Sequence, residues 1–133
     1  MTTVTTTDYK RLIGLVEFSG LKTTTPTKVS DLYEKLTSSK KLPAEQIEKG
    51  VVTMNSRVLL RDVQSGRESE VTITYPHEAE HRNRLVSILS PIGVALLGRK
   101  ENDVVSWKVP TGVGYFEIVK VTYQPEAAGH YHL

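Results

Sequence analysis

The residues whose spacing comes closest to a chemical site are His77-Glu78-Ala79-Glu80-His81. On a helix, H-E-x-x-H places two imidazoles on one face for zinc and leaves the Glu as general base of a hydrolase. The surroundings favour a solvated loop instead. Pro76 precedes the motif, Glu80, Arg82, Asn83 and Arg84 offer no apolar face to seat a metal, and no third ligand lies nearby. A metal-dependent hydrolase using His77 and His81 is therefore only an alternative reading. His130 and His132 alternate around Tyr131, as two ligands on one strand face would, but a tail this close to the terminus reads as exposed or docked. With no cysteine, disulfides, thiol catalysis and Cys-ligated zinc are excluded. Neither a G-x-S-x-G elbow nor a G-x-x-x-x-G-K-[ST] loop occurs, and Gly112-Val113-Gly114 reads as a hairpin loop. Lys40-Lys41 lacks interleaved aromatics and reads as a solvated helix end. Nothing assembles a nucleophile, base and oxyanion hole, so no catalytic residue, metal or cofactor is expected. An interaction protein fits better than an enzyme.

The elements that carry these residues divide near residue 50. The 133 residues are 38% hydrophobic and 24% charged, enough for a packed core. Seventeen Lys/Arg against fifteen Asp/Glu give a net charge of +2, too little for a phosphate-neutralising surface, so no strong direct nucleic-acid binding is expected. No apolar run approaches the ~20 residues of a membrane span, and the opening MTTVTTT has neither region of a signal peptide. The expectation is a soluble, cytoplasmic protein without a membrane partner.

Tyr9, Leu12, Ile13 and Val16 repeat at helical spacing, with Thr7 as expected N-cap and Asp8 in the first turn. Val29, Leu32, Tyr33 and Leu36 repeat the pattern behind Thr25-Pro26, a cap followed by N1. Two such stripes joined by a polar loop predict an antiparallel helical hairpin over residues 1–48. Each helix of ~12 residues spans about 18 Å and is marginal alone. A turn or short helical piece is expected from Leu42 to Ile47, closed by Gly50. Residues 49–133 read as strands at 57–63, 70–75, 84–89, 104–109 and 115–123. Between the third and fourth, Ser90 as N-cap, Pro91 at N1 and Gly98 at C′ bracket a short, mostly buried helix. With its own alternating strands and Trp107, the part from residue 49 is expected to fold by itself.

The run Ser90-Pro91-Ile92-Gly93-Val94-Ala95-Leu96-Leu97-Gly98 resembles the C-terminal domain of the bacterial GreA/GreB transcript-cleavage factors. Asn102-Asp103-Val104-Val105 is similar to that family's G-D-x-V turn, with Asn in place of Gly, and Val109-Pro110-Thr111-Gly112 to its P-x-G hairpin. Residues 51–58 and the tail from Tyr123 to Leu133 resemble the branch named as regulators of nucleoside diphosphate kinase (Rnk). The likeness covers residues 49–133 closely and the helical part in outline.

The resemblance implies an α+β protein: a coiled-coil arm, then an FKBP-like antiparallel sheet carrying one short helix. It implies a partner, RNA polymerase, bound at its secondary channel through the C-terminal domain, with the arm inserted. Ser90, Pro91 and Ile92 are then the expected polymerase-binding residues, although Leu89 stands where the cleavage factors often carry an acid. In those factors, carboxylates at the arm tip help hold a catalytic magnesium ion. Here the expected tip carries Lys22, Thr23 and Thr24 and no acid, while Glu17 and Asp31 are set back. The expectation is a transcription elongation regulator without cleavage stimulation, the alternative a weak cleavage factor using Glu17 or Asp31.

Overall fold

A computed structural model describes residues 2–18, 26–78, 84–110, 112–125 and 129. The chain opens on β1 (Thr3–Thr5), which feeds directly into α1 (Thr6–Phe18). The second helix, α2 (Pro26–Ser38), begins at the expected proline and ends against β2 (Lys40–Leu42). β1 and β2 pair in parallel, with Thr3 opposite Lys40 and Thr5 opposite Leu42. This pairing corrects two expectations. Lys40-Lys41 lies on a strand rather than a helix end, and the α1 cap is Thr5 rather than Thr7. The Thr5 hydroxyl accepts the Asp8 backbone N–H at 3.0 Å, the N-cap to N3 bond of a capping box. Three consecutive threonines can each supply that oxygen, and the strand pairing selects the first.

The remaining strands are β3 (Arg57–Asp62), β4 (Glu68–Thr74), β5 (Leu85–Ser87), β6 (Val104–Val109) and β7 (Gly112–Tyr123), with α3 (Pro91–Leu96) between β5 and β6. They form one curled sheet in the order β5-β4-β3-β7-β6. β3, β4, β6 and β7 are antiparallel, but β5 runs parallel to β4. The sheet is therefore mixed, not wholly antiparallel as expected. A parallel neighbour needs a crossover connection, and the chain after β4 begins it with a 3-10 turn at Pro76–Glu78. Register shifts along the β3–β7 pair add twist to the sheet's centre.

The core forms where this curl closes over α3. Leu60, Ile73 and Ile118 come from the sheet, Leu96 from α3, and Val52 and Met54 from the loop before β3. Leu12 of α1 and Leu32 and Leu36 of α2 belong to the same cluster, so the two helices share a core with the sheet. Tyr33 departs from its expected stripe and is 48% exposed. A further tie comes from Asp8, which is buried and accepts the Met54 backbone N–H at 3.1 Å. At the other end, the buried Gln124 amide accepts from Gly50 N–H at 2.8 Å and donates to the Glu48 carbonyl at 2.9 Å. One side chain of the tail thus fastens the segment just before residues 51–58. Asn55 adopts φ 68°, a turn conformation that Asn accepts more readily than most residues.

Candidate functional site

Most of α3 is fixed from beneath. The Ser90 side chain accepts the Gly93 N–H at 3.2 Å and donates to the Ser87 carbonyl at 2.6 Å. Pro91 occupies the first turn, where its missing N–H costs nothing. Gly93 is required by contact. A Cβ there would lie 2.3 Å from the Ser87 carbonyl oxygen and 2.9 Å from the Ile88 Cα. The buried Leu96, Leu97 and Gly98 follow, and the Thr3 N–H reaches the Gly98 carbonyl at 3.1 Å, bringing β1 against the end of the helix. Gly98 has φ +82° and no space for a Cβ beside Thr2.

Of the three residues expected to meet polymerase, Pro91 is exposed, Ser90 is half-buried and spends its hydroxyl on the cap, and Ile92 is half-buried against the core. Pro91 stands on the rim of a groove of about 530 Å³. Leu89, Val94, Ala95 and Trp107 give that groove an apolar lining, and Asp31 and Lys108 bring one charge of each sign. The Trp107 ring stacks on Phe116 at 4.1 Å between centroids and 3° between planes, which holds the indole as a fixed wall. Asp31, considered above as a substitute tip carboxylate, lies on this groove.

Lys35 joins the helices. Its ammonium donates to the Val94 and Ala95 carbonyls, the latter at 3.0 Å. The N–H groups of Leu97 and Arg99 go to Gly93 and Leu96, and that of Gly98 goes to Val52. Val94 and Ala95 therefore keep carbonyls that the short helix cannot cap itself, and a side chain of α2 caps them. Burial and then the neighbouring Arg99 guanidinium lower the Lys35 pKa to about 7. Sequence reasoning missed this residue, since a lysine on the polar flank of a helix reads as solvated. Its one signal is that a six-residue helix must find cappers elsewhere.

The arm-tip residues Lys22, Thr23 and Thr24 lie outside the described residues, as do His81, His130 and His132. His77 is exposed on the 3-10 turn, its ring 6.5 Å from that of Tyr75. Among the described residues no three His, Asp or Glu side chains form a metal-sized cluster. A second crevice, of about 550 Å³, lies between α1 and this turn, where Arg11, Leu15, Tyr75 and His77 face it. Burial and then Asp8 raise the Tyr75 pKa. No described helix is long and apolar enough to cross a membrane.

The chain is similar to known proteins over this same architecture. A family model described as transcription elongation factor, GreA/GreB, C-term matches residues 47–123. A regulator of nucleoside diphosphate kinase from Escherichia coli (strain K12) is 41% identical over 90 residues, 67% of this chain and 66% of that protein. A transcription elongation factor GreA from Orientia tsutsugamushi (strain Boryong) is 33% identical over 96 residues, 72% of this chain and 60% of the relative. The chain thus spans 66% and 60% of these two relatives' lengths. A solved structure described as a prokaryotic transcription elongation factor GreA/GreB from Nitrosomonas europaea superposes with a TM-score of 0.78 at 34% identity, covering 92% of this chain and all of that one. The match runs from the loop before β3 through the capped α3 to the end of β7, and by it this chain belongs to the GreA/GreB family, on the Rnk-like side.

Proposed function

We propose that the protein is a cytoplasmic regulator of transcription elongation that binds RNA polymerase at its secondary channel and does not stimulate transcript cleavage. In this reading residues 49–133 are an FKBP-like docking domain, and residues 1–48 form an antiparallel helical arm directed into the channel. The observation that carries it is the presentation of Pro91: an exposed residue on an otherwise locked helix, at the rim of a groove walled by Trp107. A rigid apolar edge of this kind suits protein docking, because little side-chain freedom is lost on binding. Family membership supplies the partner class. The absence of cleavage stimulation rests on the sequence of the segment between α1 and α2, Ser19 to Thr25, which has one Lys and no carboxylate for a hard cation.

Two assays test the two halves. Core RNA polymerase is passed over immobilised protein, wild type and Pro91→Ala, with far-UV circular dichroism confirming that the variant is folded. Retention of polymerase by the wild type and clear loss by Pro91→Ala are expected, and equal retention would remove the α3 surface from the proposal. Backtracked elongation complexes are then incubated with magnesium and the protein. Short 3′ RNA fragments above the polymerase's intrinsic rate would show a cleavage factor. Inhibition of cleavage driven by an active Gre factor is the result expected of a protein that fills the channel without chemistry.

A further inference from the structure

Beyond the Pro91 groove, on the side toward the end of α3, lies a smaller one of about 230 Å³. Lys35 and Arg99 both line it, with Ser106 beside them and Ala95, Val104 and Val105 as apolar walls. No described carboxylate pairs with Lys35, since the four ion pairs among the described residues all lie elsewhere. Arg99 is only partly neutralised. Its Nε is buried without a hydrogen-bond partner, and the Asp103 oxygen at 3.7 Å is beyond bonding range. That oxygen already accepts the Lys100 backbone N–H at 3.0 Å. Two cationic side chains therefore face one small cleft, with a spare buried donor and a hydroxyl. Lys35 is half-buried and the Arg99 side chain is 35% exposed with Asp103 at 3.7 Å, so the two like charges are only partly compensated.

We infer that this groove is a binding site for a small oxyanion, of the phosphate or sulfate class, held between Lys35, Arg99 and Ser106. One terminal guanidinium nitrogen of Arg99 donates to the Val104 carbonyl at 3.4 Å, and its remaining N–H groups are donors of the kind that tetrahedral oxyanions accept. Lys35 has one N–H left after capping Val94 and Ala95. The bound anion would fix the protonated form of Lys35 and with it the attachment of α2 to α3. The charged groups around Lys35 are few. Arg99 and, behind it, Asp103 come from the segment after α3; Asp31 and Glu34 are exposed on α2; α3 and residues 104–106 carry none. Anion affinity is then set chiefly by the charge on Lys35. It should fall as pH rises above 7, and by reciprocity the anion should raise the pH at which Lys35 loses its proton.

The test follows the Lys35 13Cε resonance through a pH titration, in sodium chloride and in sodium sulfate at equal ionic strength. Sulfate is used because it stays dianionic throughout. A midpoint at least one unit higher in sulfate is expected, with sulfate affinity at pH 6.5 about tenfold above that at pH 8.5. Arg99→Gln should weaken sulfate binding at least tenfold while the variant keeps its circular dichroism spectrum. An unchanged midpoint in sulfate, or undiminished binding by Arg99→Gln, overturns the site. Inorganic phosphate and adenosine 5′-monophosphate then separate the sources. Equal affinity identifies the free ion, and tighter binding of the nucleotide identifies a phosphate on a flat apolar body reaching toward the Pro91 groove.

Discussion

Gly93 and Gly14 make opposite predictions for the same substitution. Both lie in helices, where replacing Gly by Ala gains roughly 1 kcal/mol of propensity. At Gly14 in α1 an added Cβ meets nothing within 4 Å, so the gain is kept. At Gly93 the new carbon would lie 2.3 Å from the Ser87 carbonyl oxygen and 2.9 Å from the Ile88 Cα, both backbone atoms. Ordinary contact needs about 3.4 Å or more. Helix and strand end must therefore separate by about 1 Å, and Leu96 and the Ser90 cap move with the helix. Overpacking of this kind costs typically 1–3 kcal/mol. With two backbone atoms obstructed the upper end applies, so Gly93→Ala is expected to lose about 2 kcal/mol after the propensity gain. Gly14→Ala is expected to gain up to about 1 kcal/mol. Urea unfolding followed by Trp107 fluorescence reads both, as midpoint shifts at constant slope. A Gly93→Ala midpoint at or above wild type would refute the claim that this glycine is dictated by close approach.

Stability should also report Lys35. Its folded pKa is about 7 and its unfolded value 10.5, so the unfolded chain holds the extra proton between those limits. Stability from this group is therefore flat below pH 7 and rises above it, by up to about 1.4 kcal/mol per pH unit. Lys35→Met, which keeps the stem and removes the proton, should flatten that rise in urea titrations from pH 6.5 to 9, and an unaltered slope would contradict it. Asp8→Ala strands the buried Met54 N–H and should cost about 1–3 kcal/mol in thermal or urea unfolding. A change within 0.5 kcal/mol, the order of a surface substitution, would show that bond to be unimportant. Residues 49–133 alone lose Leu12, Leu32 and Leu36 from the shared core and should unfold well below the full chain, by calorimetry. A coincident transition would show the helices to be energetically separate.

What the sequence disclosed, and what it hid, follows from how local each signal is. β6 is legible at its observed bounds because Val105, Trp107 and Val109 alternate with polar residues. The Ser90-Pro91 start of α3 and Gly98 at its end are likewise signals contained within a few residues. The β1–β2 pair is three residues on each side and joins a threonine run to a basic pair 37 positions away, so neither partner announces the other. β5 shows as a strand, but its direction depends on the crossover before it. The same distinction holds at the site. Pro91 and Trp107 attract attention by type, whereas Lys35 matters through two carbonyls 59 and 60 residues further along.

The parallel pairing of β1 with β2 also decouples size from attachment. The chain leaves for α1 after Thr5 and returns from α2 to Lys40, which pairs with Thr3, and the two strands are further fastened by Thr3 to Gly98 and Thr2 to Lys40. The described parts of α1 and α2 leave and re-enter this strand pair while contributing Leu12, Leu32 and Leu36 to the core. Equal insertions in α1 after Val16 and in α2 before Leu32, in steps of seven residues that nearly preserve each helix's buried face, would lengthen both helices while leaving Leu12, Leu32 and Leu36 in the core. In this architecture helix length is a free parameter, one that evolution or a designer can set without renegotiating the rest of the fold.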